Sequence, residues 1–196
     1  MKKVLWLAAL LVAGLPASAQ TTDNAKKAVP MQKVKVVKAP KTEAQVKAEK
    51  DAKTAFIGQQ FTDFEMADTE GKMHKLSEYV GKGRWVLVDF WASWCGPCKA
   101  EMPNVVAAYE TYHDKGFDIV GLSFDNKKEP WVKDIDNLKM PWTHLSDLKG
   151  WETVAAKVYG VNSIPDNLLI DPQGKIVARG LRGQGLQDKL KEIFER

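Results

Sequence analysis

Two kinds of apolar periodicity alternate along the chain after residue 55, one of period two and one of helical period. Short strand-like runs at 61–65 and 73–76 flank the polar turn Asp68-Thr69-Glu70-Gly71 and predict a β-hairpin. Residues 84–91 include Trp85-Val86-Leu87-Val88-Asp89-Phe90-Trp91, a nearly unbroken apolar run suited to a central strand covered on both faces. A second such run occupies 117–124. Helical spacing predicts helices at 97–113, at 129–138 with Pro130 in the first turn, at 151–158 and at 186–194. Residues 168–171 and 175–179 form a second hairpin around Pro172-Gln173-Gly174. Strands interleaved with helices, then a hairpin and a closing helix, predict an α/β fold with a sheet between helical layers.

The N-terminal part follows other rules. Lys2 and Lys3 precede an apolar run at 4–15, then Pro16 and the small-residue site Ala17-Ser18-Ala19. This order predicts a signal peptide over 1–19, cleaved after Ala19. The run is short of the roughly 20 apolar residues that cross a bilayer. Export to the periplasm is therefore expected, the alternative being a membrane anchor formed by an uncleaved N-terminal helix. Residues 20–55 read as a Lys/Ala-rich linker, disordered or partly helical over 42–55, with Pro30 and Pro40 as breakers. The net charges are +2 in the leader, +5 in the linker and −3 over 56–196, which together give +4. The basic excess thus lies outside the globular part, and no nucleic-acid partner is expected.

Only two cysteines are present, Cys95 and Cys98, enclosing two residues. So short a loop adds little stability when closed, because disulfide stabilisation grows with loop size. The spacing points to redox chemistry instead. Cys95 falls where a buried strand gives way to a helix, with Pro97 in the first helical turn. Unpaired N–H groups and the helix dipole favour a thiolate there. Cys95 is therefore the candidate nucleophile and Cys98, one turn on, the resolving thiol. A zinc site would need further ligands; His74, His113 and His144 are scattered, each read as a surface or locally bonded residue, and no metal is expected. Asp89 is the sole polar side chain in 85–91, six positions before Cys95. Burial would raise its pKa and let it shuttle the proton of the second thiol, unless it reaches solvent at the strand end. No nicotinamide or flavin fingerprint occurs, so no cofactor is expected and electrons must come from another thiol protein.

The run Val88-Asp89-Phe90-Trp91-Ala92-Ser93-Trp94-Cys95-Gly96-Pro97-Cys98-Lys99 resembles the active-site signature of the thioredoxin superfamily. The stretch from Phe61 to Gly71, with Leu76-Ser77 and Trp85, is similar to the N-terminal hairpin of its TlpA/ResA-like branch of exported thiol reductases. The resemblance covers about 56–196. It implies one thioredoxin-like domain, a central mixed β-sheet flanked by helices with an N-terminal β-hairpin extension. It also implies a helix kink at Pro103, an acidic residue near the dithiol at Glu101, and a cis Ile164–Pro165 bond ending Tyr159-Gly160-Val161-Asn162-Ser163-Ile164-Pro165. Trp94, Ile164 and Pro165 become the expected substrate-binding residues, with the Ile164 backbone pairing with a client strand. Asp166-Asn167 departs from the Thr that most relatives carry after this proline, which puts substrate choice and redox potential in question.

Trp131, Trp142 and Trp151, in or beside 127–150, read as core in preference to a substrate surface. The implied activity is thiol–disulfide exchange with protein thiols, as a reductant given Gly96-Pro97 between the cysteines. The alternatives are a thiol peroxidase or a copper-binding module of the same fold. A membrane or exported thiol protein would supply electrons, and the domain is expected to act as a monomer.

Overall fold

A computed structural model describes residues 42–44, 47, 51 and 54–195. The predicted leader, its cleavage site and most of the linker lie outside these residues. In the linker, Glu43, Ala44, Lys47, Asp51 and Thr54 are helical, and Lys47 pairs with Asp51 one turn on (3.2 Å). Among the described residues, no helix is long and apolar enough to cross a membrane.

The core is a five-stranded mixed sheet in the order β5-β4-β3-β6-β7. Its strands are β3 (Trp85–Trp91), β4 (Phe117–Ser123), β5 (Thr143–Leu145), β6 (Asp166–Ile170) and β7 (Ile176–Arg179). β3 runs parallel to β4 and antiparallel to β6, so it is paired along both edges; every residue after Trp85 in it is buried. That explains the continuous apolar run: helices cover both faces and leave no polar side to alternate with. The helices packed with this sheet are α1 (Gly96–Tyr112), α2 (Lys128–Asn137), α3 (Val154–Tyr159) and α4 (Gln184–Phe194). α1 and α4 pack together, with Tyr112 stacked on Phe194 at 5.3 Å and its hydroxyl donating to Glu195 Oε1. A two-stranded sheet of β1 (Glu65–Ala67) and β2 (Met73–Lys75) precedes the core. The expected thioredoxin-like architecture, hairpin included, is the one observed.

Three local readings differ. The first hairpin strand begins at Glu65, not at Phe61, because Asp63 bonds elsewhere. Its carboxylate accepts from the Ser77 amide (2.8 Å) and hydroxyl (2.7 Å), which keeps 61–64 out of the ladder. Strand β5 was not legible: three residues after Pro141 carry no periodicity, and pairing with β4 alone makes them a strand. The helix predicted over 151–158 divides into a 3-10 turn at Gly150–Glu152, which leaves Trp151 half-exposed, and α3.

One row of residues crosses the sheet. Asn167, Asp89, Gly121 and His144 are successive partners on β6, β3, β4 and β5. Gly121 has no side chain, and the His144 ring occupies the room above it, edge-on to Trp91 (5.5 Å) and against Trp142 (5.7 Å). His144 is therefore not the surface residue its isolation in the sequence suggests. Burial holds it neutral, its pKa driven down to about 3. His74 does follow the local-bonding reading, lying between Asp68 Oδ2 (3.0 Å) and Glu78 Oε2 (2.9 Å). A methyl at Gly121 would overlap His144 Nδ1 and press toward the Trp91 indole. Gly121→Ala is thus expected to lower stability by about 1–3 kcal/mol, the usual cost of overpacking. Urea denaturation checks this, and adding His144→Ala should recover part of the loss; strictly additive losses would contradict the contact.

Candidate active site

β3 delivers the chain to the top of the sheet and α1 carries it away, with the cysteines at the turn. Cys95 is the N-cap of α1 in extended conformation, and its Sγ accepts the Cys98 amide at 3.2 Å. Pro97 sits in the first turn, where a missing N–H leaves no gap in the helix ladder. Cys95 and Cys98 are joined as a disulfide with Cα atoms 5.3 Å apart, so this is the oxidised state. Cys95 is only 4% exposed and Cys98 is fully buried. Pro103 lies inside α1, as expected.

The alternative of a solvent-reaching Asp89 is excluded: the side chain is 3% exposed and its Oδ2 has no hydrogen-bond partner. Removal from water pushes its pKa up to about 7. The negative charges of Glu101 and Asp166 add to the rise, and Arg182 opposes it. Glu101 is part-buried, and its Oε1 accepts the Gly183 amide at 2.6 Å, tying α1 to the N-cap of α4. It is thus fixed in place, not a free helix-surface carboxylate.

The Ile164–Pro165 bond is cis, with Pro165 buried and Ile164 partly exposed. Arg182 donates to the Pro165 carbonyl, so one guanidinium braces this loop and also faces Asp89 electrostatically. Nothing in the sequence singles out Arg182. The acidic residue after the proline is closed off: Asp166 Oδ2 pairs with Arg179 Nη2 at 2.8 Å and Nε at 2.9 Å. Arg179 also donates to the Tyr159 carbonyl (2.9 Å). Asn167 brackets Leu181, accepting its amide (2.9 Å) and donating to its carbonyl (2.7 Å).

Trp94, next to Cys95, is 52% exposed, and its indole N–H donates to the Phe124 carbonyl at 3.1 Å. Of the three downstream tryptophans, Trp131 and Trp142 are core, as favoured, whereas Trp151 is 45% exposed and lies 6.0 Å from Trp94. Asp125, which sequence reasoning did not single out, organises this corner. Its buried carboxylate accepts the Ser93 amide (3.0 Å) and the hydroxyls of Ser93 (2.6 Å) and Ser123 (2.8 Å).

With the dithiol, carboxyl and cis-proline on one thioredoxin-like sheet, kinship can be placed. The chain belongs to the AhpC/TSA family, whose model matches residues 57–179. Within that thioredoxin-fold group it is a thiol–disulfide oxidoreductase. It is 35% identical over 143 residues to the thiol-disulfide oxidoreductase ResA of Bacillus thuringiensis subsp. konkukian, covering 71% of this chain and 78% of that one. ResA of Geobacillus thermodenitrificans is 31% identical over 139 residues, covering 71% and 76%. In three dimensions the chain is similar to the thioredoxin domain of a thiol-disulfide oxidoreductase from Bacteroides vulgatus. The TM-score is 0.64 at 33% identity, covering 70% of this chain and 97% of that one. A thiol-disulfide oxidoreductase from Bacteroides fragilis gives 0.64 at 31%, covering 69% and 99%.

A buried carboxyl with a raised pKa opposes folding once it ionises. Between the unfolded value of 3.8 and about 7 it ionises in the unfolded chain but not in the folded one, so stability is full below 3.8, falls as pH rises across this window and levels off above about 7. Asp89→Asn should therefore match the wild type at pH 3–4 and become more stable as pH rises, levelling off above pH 8. The shift corresponds to a gain on the order of 4 kcal/mol. Thermal unfolding of the oxidised proteins across this range measures it; a constant difference would place the Asp89 pKa at its ordinary value.

Proposed function

We propose that the protein is an exported reductant of protein disulfides, with Cys95 as nucleophile, Cys98 as resolving thiol and Asp89 as proton acceptor. The observation that carries this reading is the carboxyl of Asp89, its Oδ2 without a hydrogen bond, buried on the central strand that leads into the dithiol and with its pKa pushed up to about 7. In the reduced enzyme, the helix N-terminus favours the Cys95 thiolate. This thiolate attacks one sulfur of a client disulfide; a Cys95–client S–S bond forms and the second client sulfur leaves as a thiolate, which takes a proton. Asp89 then accepts the Cys98 proton. The Cys98 thiolate attacks Cys95 Sγ, closing the Cys95–Cys98 disulfide and releasing the first client sulfur as a thiolate. Asp89 passes the Cys98 proton to this departing thiolate, and the other client sulfur takes its proton from water. The client thus gains two electrons and two protons, Asp89 is ionised again and the enzyme ends in the disulfide form described above.

Ile164, beside the cis-proline, offers its backbone for strand pairing with the client, and Trp94 flanks the attacking sulfur. Glu101 acts on the carboxyl through its charge, keeping Asp89 protonatable near neutral pH. Gly96-Pro97 between the cysteines supports the reducing direction. A membrane or exported thiol protein returns the dithiol to its reduced form. The positive n-region, apolar run and Ala17-Ser18-Ala19 site support export to the periplasm.

In single-turnover reduction of a disulfide-bonded protein, the resolving rate should rise with pH through about 7 and then level off, because Asp89 must be ionised to accept the proton. Asp89→Asn should remove that limb and slow resolution about 100-fold, a typical contribution of general-base catalysis, while attack by Cys95 changes little. Cys98→Ser should accumulate the mixed disulfide on Cys95. An equilibrium dithiol potential above about −200 mV would overturn the reducing direction.

A further inference from the structure

Trp94 and Trp151 are two large apolar side chains left exposed side by side, their rings 6.0 Å apart, in a domain that buries its other four tryptophans wholly or in part. Exposure of this kind is costly unless something covers it. The pair is also held firmly. Asp125, itself buried, fixes Ser93 through its carboxylate and takes the Gly150 amide on its backbone carbonyl (3.4 Å). One residue thus positions the chain immediately before each indole. Gly150 turns there at φ +56°, a conformation that suits glycine. The Trp94 N–H is anchored to the Phe124 carbonyl, and Phe124 meets Trp151 edge-on at 5.2 Å. The result is an open depression of about 470 Å³ lined by Trp94, Phe124, Asn126, Lys149, Gly150 and Trp151. It starts at the residue next to the nucleophile, and its one charged lining residue is the cation Lys149.

We propose that this depression recognises client polypeptides: the two indoles take an apolar, preferably aromatic, side chain adjacent to the client's reacting cysteine. Lys149 favours a client segment that carries a carboxylate beyond that side chain. The proposal rests on the reductant reading and adds to it the class of client sequence. Two rigid aromatic surfaces lose little freedom on binding, so their contact area converts efficiently into selectivity. Asp125 is a positioning residue here, acting through the two loops it joins.

The test uses two peptides, each closed by one internal disulfide and each bearing the same Asp, which differ only in Phe or Gly next to one cysteine. With the reduced full-length protein, kcat/KM for the Phe peptide should exceed that for the Gly peptide about tenfold, the scale of one aromatic contact. Trp151→Ala should bring the ratio close to one, and Trp151→Phe should keep most of it. Trp151 is on the surface, so both variants should retain the wild-type thermal midpoint. Equal reduction of both peptides by the wild type, or an unchanged ratio in Trp151→Ala, would overturn the platform alone. Reduction of neither peptide would overturn the reductant reading and the platform with it.

Discussion

A carboxyl group kept out of water on the central strand, just before the dithiol, is the constraint around which this protein is built. Asp89 has apolar neighbours along β3, a glycine on one side and Asn167 on the other, and no hydrogen bond to its Oδ2. Ionising it there is expensive, and that expense raises its titration to about pH 7. Glu101 and Asp166 enforce the effect from two other elements, while Arg182 moderates it. Keeping this carboxyl buried lowers the stability of the domain at neutral pH.

The parts of the site are held by contacts that do no chemistry themselves. Glu101 ties the first helix to the last, and Arg182 braces the cis-proline loop. Asp166, which the sequence placed in doubt, is withdrawn into an ion pair with Arg179 whose members are almost wholly buried. The departure from the usual residue after the proline is thus held in a buried ion pair, and its charge is felt inside the domain, at Asp89. Asp125 has the same kind of role on the other side of the dithiol, where its carboxylate replaces water for the Ser93 and Ser123 hydroxyls.

Much of this was legible in the residues. The apolar run of β3, the cysteine spacing and the lone Asp89 are local signals, each tied to a short-range cause: two covered faces, a two-residue loop, one polar group among apolar ones. The resemblance of the 88–99 run and of the segment ending at Pro165 supplied the thioredoxin-like fold and the cis bond. The readings that changed depended on distant partners. Asp63 kept 61–64 out of the first hairpin strand by bonding Ser77; β5 exists only because β4 offers an edge; His144 is buried because Gly121, more than twenty residues earlier, leaves room for its ring.

By itself the sequence determined most of the strands and helices, the redox pair and the lone carboxyl on the strand before it. Hydrophobic periodicity, helix-tip electrostatics and a single polar residue in an apolar run act within a few positions along the chain. Only the tertiary structure decided which acids stay charged, which tryptophans meet solvent and which loops are fixed. Those outcomes depend on desolvation and on pairing between residues 30 to 100 positions apart, as between Ser93 and Asp125 or Glu101 and Gly183. Linear spacing carries no record of such distances; the packed sheet sets them.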